Sequence, residues 1–108
     1  MTVKEIIERA GLGIRVIEDH YDSTVKPPFA AVIHGKRQKI CADDKPYITV
    51  EEIDIELYTD KYRNEELIRK IEKALEDNGF ICETEEDYIA EEKLYRVTFS
   101  IEEMITNA

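Results

Sequence analysis

From Ile53 to Cys82 the alternation of apolar and polar positions changes period twice. Ile53-Asp54-Ile55-Glu56-Leu57 alternates apolar and acidic residues, the period of a half-buried strand. Thr59 to Arg63 is polar and reads as a connection. Asn64 is a suitable N-cap, and Glu65 and Glu66 follow where the helix dipole favours negative charge. Leu67, Ile68, Ile71, Ala74 and Leu75 then recur at helical spacing, and Asn78-Gly79 supplies a stop. Phe80-Ile81-Cys82 reads as the start of a return strand. A helix over 64–78 spans roughly 22 Å, about the length of a seven-residue strand. It can therefore run back along a sheet and leave the strands on either side of it pointing the same way.

The flanking segments predict a second helix and more strands. Thr2-Val3-Lys4-Glu5 matches a capping box, with Val3, Ile6, Ile7 and Ala10 on one helical face and Gly11 at the end. Ile14, Val16 and Ile17 suggest a short strand, although the alternation fails at Ile17. Asp22-Ser23-Thr24 is a turn-rich link and Pro27-Pro28 an extended one. Phe29 to Ile33 is a continuous apolar run, as in a strand covered on both faces. Gly35 to Lys39 reads as a basic loop, Ile40 to Ala42 as a brief strand and Asp43 to Pro46 as a turn. Ile48 and Val50 share one parity while Ile53, Ile55 and Leu57 share the other, so a bulge or bend is expected at Glu51-Glu52. Glu83 to Asp87 carries too much like charge for a central strand and suggests an edge or a protruding hairpin that turns at Ala90 to Lys93. Leu94 to Glu102 is a strand with Tyr95, Val97, Phe99 and Ile101 on one face, and Met104 to Ala108 is expected to fray. The sum is one α+β domain over residues 1–108, a mixed sheet of four to five strands with both helices packed against it.

Charge narrows the classes of function. The chain has 108 residues, 43% of them apolar, and a net charge of −10. Apolar content at this level argues against disorder. The negative balance argues against specific nucleic-acid binding and against an anionic membrane surface, both of which need clustered cations. Cys41 and Cys82 form no CxxC pair and no disulfide framework, which fits a reducing compartment. The N-terminal residues lack a signal-peptide pattern, and no apolar run is long enough for a membrane span.

The candidate chemistry is sparse. Asp43-Asp44, Glu51-Glu52 and Glu85-Glu86-Asp87 have the residue types of cation ligands or of an acid/base pair, but no EF-hand spacing is present and a solvated acidic face is the favoured reading. His34 and Cys41 would meet across a hairpin only as an unsupported catalytic dyad, and Cys82 sits where a core thiol is expected. His20 and His34 do not complete a zinc pattern with the cysteines. Lys36, Arg37 and Lys39 form the one basic cluster, read either as a soluble hairpin tip or as a contact for phosphate or an acidic partner. Six tyrosines and no tryptophan are compatible with strand-end packing and with an interface.

Three segments carry a family resemblance: Gly11-Leu12-Gly13-Ile14-Arg15-Val16, Pro27-Pro28-Phe29-Ala30-Ala31-Val32, and Ala42-Asp43-Asp44-Lys45 leading to Ile53 through Lys61. With the amphipathic helix and the Tyr95-Arg96-Val97-Thr98-Phe99 strand, their order resembles small tail-completion (tail-terminator) proteins of long-tailed phages and prophages of Gram-positive hosts. Gly13 stands where that family usually has proline. The resemblance implies a tail-terminator-like subunit without enzyme activity or cofactor. Such a subunit forms a homo-oligomeric ring that caps the tail tube and joins it to the head. Its partners would be tail-tube and head-connector proteins, and its place the host cytoplasm during assembly and then the virion tail. Glu52, Asp54 and Glu56 lie opposite the core side of their strand, and Glu83, Glu85 and Asp87 alternate likewise. If those strands neighbour one another, six carboxylates share one face, either an acidic channel wall that DNA slides past or an outer face that keeps the protein soluble. A small acidic binding or inhibitor protein, such as a DNA mimic, is the alternative function. An acidic metal-dependent nuclease ranks last because its carboxylates lack a convergent motif.

Overall fold

The computed structural model describes residues 1–19, 25–42, 45–60 and 62–106. Two helices and five strands follow one another as α1 (Val3–Glu8), β1 (Arg15–Glu18), β2 (Phe29–Ala42), β3 (Lys45–Asp60), α2 (Glu65–Asp77), β4 (Glu83–Ile89) and β5 (Leu94–Thr106). They form one mixed sheet in the order β1-β2-β3-β5-β4, with only the β1–β2 pair parallel. β3 and β4 are both antiparallel to β5, so the strands on either side of α2 point the same way, as the helix length requires, with β5 between them.

Both helices start where their sequences place the caps. Thr2 accepts a hydrogen bond from the Glu5 amide while the Glu5 carboxylate accepts from the Thr2 amide. Asn64 accepts from the Leu67 amide. Val3 and Ile7 of α1 and Leu67, Ile68, Ile71 and Leu75 of α2 are buried against Ala30, Val32, Ile53, Ile55, Leu57, Val97, Phe99 and Ile101 of the sheet. Lys70 fastens the two helices by donating to the Gly11 carbonyl at 3.2 Å, and Gly11 holds φ +73°, where a side chain would strain the turn.

The opposite face of the sheet carries a second, smaller core. Phe29 and Tyr58 stack there with ring centroids 4.8 Å apart, and Leu94, Ile17, Val25 and Ile89 pack around them. Residues 29–32 are thus buried on both faces, as their unbroken apolar run implies.

The strands are longer than the sequence suggests. Gly35 to Lys39 is no loop: β2 continues through it to Ala42 and pairs with β3 down to Lys45. β5 continues past Glu102 to Thr106 instead of fraying at Met104, because Glu103 to Thr106 pair with Ile48 to Glu51. β3 reaches Asp60, so the polar residues Thr59 and Asp60 belong to the strand. Phe80 to Cys82 precede β4 rather than starting it: Phe80 and Cys82 pack on the core while Ile81 is 92% exposed. The hairpin turn at Asp43-Asp44, the Asp22-Ser23-Thr24 link, His20 and Tyr21 lie outside the described residues. The result is a body under the helices and a three-stranded arm of β2, β3 and β5 reaching about 20 Å beyond it, in a molecule measuring 51 × 28 × 21 Å.

The bulge expected at Glu51-Glu52 lies on the neighbouring strand. β3 keeps one unbroken register with β5, whereas its register with β2 shifts between His34 and Arg37. The extra residue is therefore at Gly35-Lys36, facing Glu52; a Cβ on Gly35 would come 3.2 Å from the Glu52 carbonyl oxygen. β3 need not break its alternation, because Thr49 and Glu51 take the helix side while Ile48 and Val50 turn to the other face.

Candidate assembly surface

The chemistry-bearing side chains fall into three groups around the arm. The first sits where the arm leaves the body. Glu51 is only 3% exposed although it lies on the helix side of the sheet, beyond the last core residue, Ile53. A buried carboxylate needs partners for its oxygens. His34 Nδ1 donates to Glu51 Oε1 and Arg37 Nε donates to Oε2 at 2.5 Å. The bulge aligns these groups, since it places Arg37 directly across from Glu51. Glu18 of β1 completes the cluster 3.5 Å from His34 Nε2. Hydrogen bonding to Glu51 raises the His34 pKa above its ordinary 6.5, with Glu18 adding to it against the cost of burial. Hydrogen bonding from His34, then from Arg37, lowers the Glu51 pKa below its ordinary 4.5.

His34 and Glu51 make the stability of the arm depend on pH. The His34 contribution is complete below about 6.5 and is lost as pH rises through the raised folded value; the Glu51 contribution is complete above about 4.5 and is lost as pH falls through the depressed one. We expect this cluster to stabilise the arm most between those limits. Urea unfolding should show lower stability at pH 8 than at pH 5.5, and His34→Gln should reduce that difference; an unchanged difference would assign the alkaline loss to other groups.

The second group is the acidic face. Glu52, Asp54 and Glu56 lie on the side of the sheet away from the helices, as do Glu83, Glu85 and Asp87 of β4. The two rows are not neighbours: β5 runs between them, so Ser100 separates Asp54 from Glu83, and Thr98 separates Glu56 from Glu85. That spacing, about 10 Å across two strand intervals, relieves the repulsion that adjacent rows would suffer. Local partners relieve it further. Ser100 Oγ donates to Asp54 at 2.8 Å, Tyr58 donates to Glu56 at 3.0 Å, and Arg96 makes a two-bond pair with Asp87 at 2.7 and 3.0 Å.

The third group is the free edges of the arm. β1 pairs with β2 only as far as Val32, and β4 pairs with β5 only from Ser100 onward toward Leu94. Among the described residues, β2 beyond Val32 and β5 beyond Ser100 therefore have an unpaired outer edge. Lys36 and Lys39 sit on the first, with no ion pair inside the subunit among the described residues, and Glu102 and Glu103 sit on the second. Ile40 is 51% exposed and Met104 73%.

The His34 and Cys41 pair named from the sequence is not brought together. His34 and Cys41 lie on the same strand, about 20 Å apart by strand rise, so they do not meet across a hairpin. Burial raises the Cys82 pKa, the opposite of an activated thiol. No group of three or more His, Cys, Asp or Glu suited to holding a metal occurs among the described residues. Sequence reasoning missed the Glu51 cluster and the arm edges. The signal for the first was the parity of Glu51, which matches Ile53. No protein-family model matches the chain, and no curated protein matches its sequence.

Proposed function

We propose that the chain is a non-enzymatic virion assembly protein of the tail-completion type, a subunit of a ring that caps a phage or prophage tail tube and joins it to the head. The sequence resemblance suggests the role, and one observation carries it further: among the described residues, the three-stranded arm ends in two open strand edges. An exposed edge is a template for pairing with another chain, and monomeric proteins usually shorten, cover or uniformly charge such edges. Here the β2 edge keeps two such devices, its lysines and the bulge at Gly35-Lys36, but both edges are long and each exposes an apolar side chain, Ile40 on β2 and Met104 on β5. The partners are further copies of this chain, then tail-tube and head-connector proteins. Sizing the purified protein with and without tail-tube protein tests the reading: a discrete oligomer in either sample supports it, and a monomer in both opposes it.

In such a ring the acidic face is the channel wall. Helices cover one side of the sheet, so Glu52, Asp54 and Glu56 are on the side free to line a lumen, where they would repel DNA phosphate and prevent sticking. Replacing them with Gln, Asn and Gln should preserve assembly while slowing DNA ejection or raising affinity for DNA. Normal ejection by the variant virions, or an assembled ring with these residues on its outer wall, would contradict the channel.

The second reading is a small acidic inhibitor that imitates DNA. The two rows of carboxylates favour it, since a mimic presents ordered negative charge. It predicts binding to a DNA-binding protein as a monomer, with the arm edges playing no part.

A further inference from the structure

The arm edges differ from each other in a way that specifies how they can be used. β2 and β5 are both antiparallel to β3, hence parallel to each other, and they stand at the same level on either side of it. Arg37 and Glu103 both pair with Glu51, and Ile40 and Thr106 both pair with Ile48. The β2 edge carries Lys36, Arg37 and Lys39. The β5 edge carries Glu102 and Glu103 and opens onto a groove that runs from the segment before β4 onto the acidic face, lined by Glu52 and Asp54 as well as Ile81, Glu83, Glu102 and Met104. Two of those residues are large apolar side chains left 92% and 73% exposed. One edge is thus a basic strand with an exposed Ile40, and the other is an acidic slot with exposed Ile81 and Met104.

We infer that the β2 edge of one copy, centred on Lys36 to Ile40, enters the β5 groove of the next copy and extends the sheet from subunit to subunit. Charge selects this pairing over a two-fold one. β2 against β2 would set Lys36, Arg37 and Lys39 against themselves, and β5 against β5 would set Glu102 and Glu103 against themselves; like charges across a ladder are destabilising. β2 against β5 joins opposite charges and covers Ile40, Ile81 and Met104 together. The contact uses two different surfaces of each copy, so it closes into a ring when its rotation closes. When the ring axis runs along the strands, rotation keeps their direction, so the new ladder is parallel and the acidic face of every copy looks to the same side of the wall. The inference rests on the ring reading for its closure, while the identity of the edges rests on the charges and the register alone.

Two double variants test it. Lys36→Glu/Lys39→Glu makes the inserting strand acidic, and Glu83→Lys/Glu102→Lys makes the groove basic. None of the four residues has an ion pair within the subunit among the described residues, so circular dichroism should report an unchanged fold. Native mass spectrometry of the full chain, alone and with tail-tube protein, is the readout. Each variant by itself should lose assembly at least tenfold in the concentration required, and an equal mixture of the two should recover it, with an even number of alternating subunits. If both variants assemble as the wild type does, the edge interface is wrong and the ring reading stands. The edge interface is also wrong if the mixture stays apart while each variant is folded, or if Glu85→Lys/Asp87→Lys on the outer edge of β4 is the pair whose reversal dissolves the ring. A wild type that remains a monomer in both samples removes the ring and the interface together.

Discussion

Ile71→Asp should fail to fold. Ile71 is fully buried at the centre of α2 against the sheet, and the substitution removes an apolar side chain whose burial contributes roughly 1.5–3 kcal/mol. It also sets a carboxylate among apolar side chains, where nothing donates to it. Together these cost on the order of 5 kcal/mol or more, comparable with the whole stability of a domain this size. Circular dichroism of the purified variant decides it: a folded protein with unchanged Tm would mean that α2 does not seal this core.

Phe29→Ala should cost about 3–5 kcal/mol, which for roughly a hundred residues lowers Tm by about 15–30 °C. Phe29 is 1% exposed and stacks on Tyr58 on the face away from the helices, so its loss opens a cavity under Ile17, Val25 and Leu94. A drop of only a few degrees would show that the second core contributes little and that the helix-side core alone holds the sheet. If the protein stays folded, the arm should still form, because its rungs from Arg37 to Ile40 lie well away from Phe29 along β2.

The parts of this fold that can be read from the sequence are those in which one side chain in two or in four must be apolar. α2 and β5 show their periods plainly, and the caps at Thr2 and Asn64 have the residue types that bind free amides. The arm hides for the opposite reason. Beyond Gly35 neither face of β2 is covered, so Lys36 to Lys39 need not alternate, and a strand with both faces in water has the composition of a loop. The bulge was detectable as a conflict of parity but could not be placed, since a ladder belongs to two strands and the sequence of β3 does not say which strand holds the extra residue. Once the extra residue is on β2, Glu51 keeps the parity of Ile53 and becomes a buried acid, an arrangement that makes sense only with Arg37 and His34 opposite it. The acidic rows were legible as rows, but their separation by β5 was not. It depends on β4 pairing to the far side of the last strand in the chain.

The proposed ring is tested most directly by electron microscopy of the purified chain incubated with tail tubes. Closed rings are expected at one end of the tubes, in which the arm sheet passes without a gap from β5 of one subunit to β2 of the next and Glu52, Asp54 and Glu56 face the lumen. Bare tube ends with the protein free in solution as a monomer would contradict it.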